Sequence, residues 1–272
     1  MTVNLSFPEK RRPAGGIESF YTDLHSAMHS LGDLDEAPFP SALEFRQFLA
    51  SDFPGGLGRL CCLDAGCGGT AINSRTLIAA GAGYLLAIDL NQGSLRLVRQ
   101  SLAGRAAGVL GVAAGSLLDL PLPSEAFDFI VCSGVVHHTP DPERAIGELR
   151  RVLKPGGRLY ISAYCFDGSV MLAVVRVWRL AARVLPFSLM HALFKRSTLI
   201  NNFVLDHMYV PILWVYRVGD FSRLLEGCGF RIDRSFVSAL DSMSGRRLGP
   251  WSLTGDGLLR VFTCTRSDAG SQ

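Results

Sequence analysis

The residues best suited to chemistry lie in the first half of the chain. Leu63-Asp64-Ala65-Gly66-Cys67-Gly68-Gly69-Thr70 closes a short apolar run with glycines. Such glycines let the backbone turn sharply and approach a ligand closely just before a helix begins. Gly66-x-Gly68-x-x-Ala71 also fits the dinucleotide fingerprint, which tolerates Ala at its third place. Alone, that pattern is weak. Asp64 narrows it, because a carboxylate just before the first glycine repels a diphosphate but suits the cationic methionyl end of a sulfonium nucleoside. Asp89 ends the next apolar run, where it can bond both ribose hydroxyls, a role common to both kinds of nucleoside.

Groups able to move a proton come later. His137 and His138 follow the apolar run Phe127 to Ser133 and suit a general base in the neutral imidazole form. The alternative, which we favour, is packing beside the ligand or capping the next helix. Asp206, His207 and Tyr209 form a polar cluster inside an apolar stretch, where they either position an acceptor or make a solvated turn before Pro211. Tyr21 either closes over the bound nucleoside or packs an N-terminal helix. Lys154-Pro155-Gly156-Gly157 reads as a helix stop and turn, with no chemistry assigned.

These residues need a scaffold that gathers strand ends. Arg59 to Asp64, Tyr84 to Asp89, Gly108 to Ala113, Phe127 to Ser133 and Arg158 to Ala163 are short apolar runs without alternation, as in strands buried on both faces. Helical stretches at Thr70 to Ala80, Gln92 to Ala103 and Pro142 to Leu153 separate most of them, which implies βαβ units and a parallel sheet. Helix Asp220 to Gly227 and strands Phe230 to Ala239 and Leu258 to Thr265 complete it. The link between those last strands is too short and too rich in Gly, Pro and Ser for a crossover helix, so they should pair antiparallel. The expected fold is α/β and Rossmann-like, a seven-stranded, mostly parallel sheet with an antiparallel last strand. Helices Ile17 to Leu31 and Ser41 to Phe53 precede it.

Residues 166–218 break the rhythm with apolar, Arg-dotted stretches, Val170 to Leu185, Ser188 to Phe194 and Val210 to Val218, read as an inserted helical cap. The expected organisation is a loose tail over 1–16 and one domain over 17–272, with core segments 55–165 and 219–266 and the cap at 166–218.

Leu63 to Ala163 resembles the class I S-adenosylmethionine-dependent methyltransferases, in the branch similar to the ubiquinone/menaquinone-biosynthesis enzymes. The resemblance rests on landmarks in order: Leu63 to Gly68, Ile88-Asp89-Leu90, Gly115-Ser116-Leu117 with Leu120-Pro121, and Phe127-Asp128-Phe129-Ile130. Val136-His137-His138-Thr139-Pro140-Asp141 and Leu153-Lys154-Pro155-Gly156-Gly157 follow. It implies S-adenosylmethionine as cofactor, with Asp64, Gly66 and Gly68 holding the methionyl part and ribose, and Asp89 taking the ribose hydroxyls. Leu90 would pack on adenine, Ser116 and Leu117 would sit at its edge, and the Ser133 backbone would contact the methionyl group. The sequence departs from the family at Thr70, usually Gly, and at Ser116, usually Asp. A neutral Ser116 makes a weaker hydrogen bond to the adenine amino group than a carboxylate would.

The implied activity is transfer of a methyl group to O, C or N of a small hydrophobic acceptor such as a phenol, a quinone or a natural-product-like compound. It would lie under a roof of N-terminal helices and residues 166–218. Two other readings compete: a protein that binds the cofactor without transferring from it, and a nicotinamide oxidoreductase. The last lacks any Tyr-x-x-x-Lys pair, and Lys is scarce (Lys10, Lys154, Lys195).

Bulk properties narrow the partners. Of 272 residues, 48% are hydrophobic and 19% charged, and the mean hydropathy of +0.25 points to lipophilic surface. A net charge of +3 makes no case for nucleic acid. The seven cysteines include no C-x-x-C pair, which argues against zinc and a disulfide framework. Met1 to Arg12 lacks the pattern of a secretory signal, so a cytoplasmic location is expected. Arg176, Arg179 and Arg183 recur at helical spacing. We read them as a solvated face in preference to a membrane contact, and no uncharged run there is long enough to span a bilayer. Oligomeric state and acceptor identity are left open.

Overall fold

In the computed structural model, the described residues are 2–7, 40–102, 109–165, 169–186, 189, 192–193, 208–238 and 259–267. Each apolar run forms a strand. These are β2 (Cys61–Ala65), β3 (Tyr84–Asp89), β4 (Val109–Ala114), β5 (Phe127–Ser133), β6 (Leu153–Tyr164), β8 (Phe230–Val237) and β9 (Leu259–Arg266). They make one seven-stranded sheet ordered β4-β3-β2-β5-β6-β9-β8. From β4 to β6 all neighbours run parallel, while β9 runs antiparallel to both β6 and β8. The order reverses between β2 and β5. At such a switch point the loops beyond the carboxyl ends diverge and leave a crevice for a ligand.

Alternation along β5 divides the core. Ile130 and Cys132 join one buried cluster with Ile146 and Leu149 of the helix α4 (Pro142–Val152) and Phe221 of α6 (Val218–Gly227). Phe129 and Val131 point the other way, as the two-residue side-chain period of a strand requires. There Phe129 and Tyr160 meet Phe45 and Phe48 of α1 (Pro40–Asp52), with ring centroids 4.8–6.2 Å apart. Asp52 pairs with Arg158 and Arg234, fixing the end of that helix to the sheet. Helices α2 (Ile72–Ala79) and α3 (Gln92–Leu102) follow β2 and β3.

Strand β6 begins earlier than Arg158. Phe127 pairs with Leu153 and Phe129 with Arg158, so residues 154–157 bulge out of register, with Gly156 at φ +70°. Lys154 Nζ donates to Asp128 Oδ1 (2.7 Å), whose other oxygen accepts the Cys61 N–H (2.9 Å). The motif is thus a strap joining β5, β6 and β2.

Two readings of the chain outside the sheet need correction. Val3–Asn4, assigned to a loose tail, forms β1, antiparallel to β7 (Trp214–Val215). Val210 to Val218, assigned to helix, runs instead in extended form through β7 before α6 begins. Arg179 secures this junction from α5 (Ser169–Ala181). Its guanidinium donates to the carbonyls of Leu5 (2.6 Å) and Val210 (2.9 Å) and lies over the Phe7 ring. Arg179 is therefore buried, which corrects the solvated-face reading for that residue, while Arg176 and Arg183 are exposed. The helix expected at Ile17 to Leu31, Tyr21 with it, lies outside the described residues, as does most of Ser188 to Phe194.

Candidate functional site

The glycine loop turns at the carboxyl end of β2. The N–H groups of Gly66 and Cys67 both donate to the Ile88 carbonyl, at 2.8 and 3.1 Å, which ties the turn to β3. Gly66 has φ +82°, and a Cβ there would lie 2.5 Å from Val135 Cγ2. Only glycine fits. Ala71, third residue of the fingerprint, is fully buried where the turn enters α2.

Asp89 links two loops. Its Oδ2 accepts the Gly68 N–H and its Oδ1 the Asn91 N–H, each at 2.8 Å. Asn91 in turn caps α3 by accepting the Ser94 N–H at 2.9 Å. Each carboxylate oxygen can accept a further hydrogen bond, so acceptor capacity remains for a diol. Leu90, the next residue, is 47% exposed and presents an apolar surface beside it.

Asp64 faces inward and is fully buried. Ser74 Oγ on α2 donates to its Oδ2 at 2.6 Å, while Oδ1 has no partner. Burial pushes this carboxyl up to about 7, the nearby Asp89 charge adding to the effect and hydrogen bonds from Ser74 and Asn73 opposing it.

Around the crevice, Ser116 Oγ accepts the Leu118 N–H at 3.1 Å, and Leu117 is buried. Their loop is braced from α4. Glu148 accepts the Leu120 N–H (2.8 Å), Arg151 donates to the Leu120 and Leu122 carbonyls, and Arg144 donates to that of Leu118. Ser133 Oγ lies 2.9 Å from Ser162 Oγ, which accepts the Gly134 N–H.

His137 and His138 form a buried 3-10 turn after β5. Both rings pack with Tyr164, His137 at 4.1 Å between centroids. His138 Nδ1 lies 2.9 Å from the Ile212 carbonyl. A carbonyl only accepts, so Nδ1 carries a proton. The Tyr209 hydroxyl donates to the Leu185 carbonyl at 2.8 Å. Asp206 and His207 lie outside the described residues. The glycine turn, Asp64, Asp89, Leu90, Ser116, Leu117 and Ser133 lie at or just beyond the carboxyl ends of β2, β3, β4 and β5, and the His pair sits on the turn after β5. Ser74, Asn91, Val135 and Ser162 were missed. Asn91 was readable as an N-cap before a helix; the others act only through tertiary contact.

Taken together, the strand order, the glycine turn and the carboxylate at the switch point define a Rossmann-like nucleoside-binding domain. Residues 63–161 match the methyltransferase domain family. The chain is 34% identical over 96 residues to demethylmenaquinone methyltransferase of Clavibacter sepedonicus, covering 35% of this chain and 38% of that protein. A S-adenosylmethionine-dependent methyltransferase from Methanosarcina mazei superposes with a TM-score of 0.54 at 22% identity, covering 77% of this chain and 93% of that one. The 4+2 cyclase SpnF gives 0.63 at 15%, covering 94% and 97%. Residues 63–161 thus form a methyltransferase domain similar to those of the S-adenosylmethionine-dependent enzymes, among them the ubiquinone/menaquinone-biosynthesis methyltransferases. The chain spans 30% to 50% of the length of the curated relatives it matches.

The site fits S-adenosylmethionine. Gly66 leaves room for close approach, Asp89 keeps acceptor capacity, and the unpartnered Asp64 oxygen suits a nearby positive charge. This last feature sets a pH dependence. In the folded chain Asp64 is raised from 3.8 to about 7, so the folded state holds its proton more tightly than the unfolded chain. Its contribution to stability is therefore most favourable below the unfolded value and declines as pH rises toward 7. A bound cation favours the ionised form, so cofactor affinity should rise with pH up to about 7, by at most about tenfold per unit, with release of a proton. Calorimetry in buffers of different ionisation enthalpy measures that proton. Asp64→Asn should abolish its release, and wild-type affinity independent of pH would refute the coupling.

Proposed function

We propose that this protein moves a methyl group from S-adenosylmethionine to an O, N or C atom of a small lipophilic acceptor by in-line displacement. The observation that carries this reading is the Asp89 carboxylate, joined to Gly68 at the crevice of the sheet. Gly66 and Gly68 would hold the methionyl part and ribose, with Asp64 supplying negative charge behind them. Leu90, Ser116 and Leu117 would line the adenine, and the Ser133 backbone would meet the methionyl group. The cofactor, when bound, supplies a methyl already activated by a positively charged sulfur, so the chain's main task is to orient the nucleophile.

A base is needed only for a protonated nucleophile. The burial of His137 and His138, with His138 fixed on Ile212, supports packing of the turn over proton transfer. Residues 166–218 would roof the acceptor over a core formed by 55–165 and 219–266. A phenol or quinone suits that apolar roof, and demethylmenaquinone methyltransferase is among the relatives. Binding without transfer is the second reading, supported by a fold shared with a cyclase.

Titration with S-adenosylhomocysteine and, separately, NAD tests the cofactor. Incubation with S-adenosylmethionine and a panel of phenols and quinones, read by mass spectrometry, tests transfer. Binding of S-adenosylhomocysteine together with a methylated product is the expected result. Binding with no product across the panel would favour the second reading, and NAD binding alone would overturn both.

A further inference from the structure

Helix α5 and the turn after it carry an apolar face that is exposed among the described residues. Val177, Leu180 and Val184 follow one another at helical spacing and are 63%, 59% and 81% exposed. The backbone stays coiled past the end of α5, with Val184 and Leu185 N–H groups donating to the Ala181 carbonyl. On the opposite side Val175 and Arg179 are buried against the body of the protein, so the exposed stripe is the outward face. Leu189 and Leu193, farther along, are 47% and 63% exposed. Large apolar side chains grouped in this way on a surface mark a contact site.

Charge indicates what makes the contact. Arg176 and Arg183, both exposed, flank the stripe on one side. Between Asp167 and Asp206 the chain has no acidic residue, although it carries five of the 27 Lys and Arg: Arg176, Arg179, Arg183, Lys195 and Arg196. Outside this segment acidic residues outnumber basic ones. A protein partner of ordinary mixed charge has no need of such a segregated segment. An anionic lipid surface matches it in both respects, accepting apolar side chains at the boundary of its acyl chains while its headgroups pair with arginines on long, flexible stems. No helix among the described residues is long and apolar enough to cross a membrane, so the contact is peripheral.

We propose that the outer face of residues 173–184, with Val177, Leu180 and Val184 inserted and Arg176 and Arg183 at the headgroups, docks this protein on anionic lipid membranes. Docking requires neither cofactor nor acceptor, so it stands or falls separately from methyl transfer.

The test is co-sedimentation of the full chain with vesicles of phosphatidylcholine alone and of phosphatidylcholine with phosphatidylglycerol. The wild type should pellet with the anionic vesicles only and be released by salt. A basic residue near an anionic surface is worth about fivefold in partition, so R176E/R183E should weaken binding by roughly thirtyfold or more. V177D/L180D/V184D should abolish it while leaving the thermal unfolding midpoint close to wild type, since all these side chains already face solvent. If the triple variant fails to fold, the arginine pair alone decides. Wild-type protein that ignores anionic vesicles, or an arginine variant that binds them as well as wild type does, overturns the proposal. So does a dimer in sedimentation velocity that the triple variant dissolves without any vesicle binding, which would make the face a contact between copies.

Discussion

Asp89→Ala should lower affinity for S-adenosylhomocysteine by about 100-fold or more. Hydrogen bonds to a charged group contribute about 1.5–3 kcal/mol each, and a ribose diol offers two donors to this carboxylate. The substitution also strips the acceptor from the Gly68 and Asn91 N–H groups, both held at 2.8 Å. The loop after β2 and the start of α3 would then lose the link that sets their separation. Unfolding of the variant without ligand should therefore come slightly early, and the ligand-induced rise in melting temperature should nearly vanish. Asp89→Asn keeps one carbonyl acceptor but presents an amide donor to one of the two N–H groups, so it should fall between wild type and alanine. Calorimetric titration of the three proteins measures the series. Affinity of the alanine variant within about threefold of wild type would remove Asp89 from the cofactor site.

Gly66→Ala should be nearly as damaging, for a different reason. At φ +82° an L-residue incurs about 1–2 kcal/mol of strain. In addition the new Cβ would sit 2.5 and 2.8 Å from the two Cγ atoms of Val135, so the turn or the segment after β5 must move, and overpacking of this kind costs about 1–3 kcal/mol. Either movement displaces the backbone that the cofactor must approach, so binding should fall along with stability. Gly134 provides the control. It has φ +75° but nothing within 4 Å of an added Cβ, so Gly134→Ala should show the conformational cost alone. A Gly66→Ala/Val135→Ala double variant should recover the steric part of the loss and leave the strain. Equal unfolding free energies for the Gly66 and Gly134 single variants in denaturant titrations would refute the close packing of Val135 on the turn.

Much of this architecture was legible from local pattern. β3 and β5 run over the residues expected of them, Tyr84–Asp89 and Phe127–Ser133, because a short apolar run bounded by polar or turn residues can bury itself only as a central strand. The antiparallel pairing of β8 with β9 followed from a link too poor in helix formers for a crossover. The glycine turn, Asp64 and Asp89 were visible because a nucleoside site needs those residue types at adjacent strand ends, and the spacing along the chain preserves that requirement.

What the sequence left undetermined depends on partners far away along the chain. Val3 and Val215 pair across nearly the whole length of the protein, and neither segment carries a signal for the other. Val210 to Val218 was therefore read as helix from its apolar content alone. Arg179 looked like one member of a charged face until two backbone carbonyls and the Phe7 ring buried it. Asp64 had the right type and position, yet only the packing of α2 decided that it faces Ser74 from inside the core, and that enclosure gives it a raised pKa. Periodicity and residue type act over a few residues and so determine elements and candidate groups. Burial, and with it charge state and the choice of partner, is a property of the assembled sheet and helices.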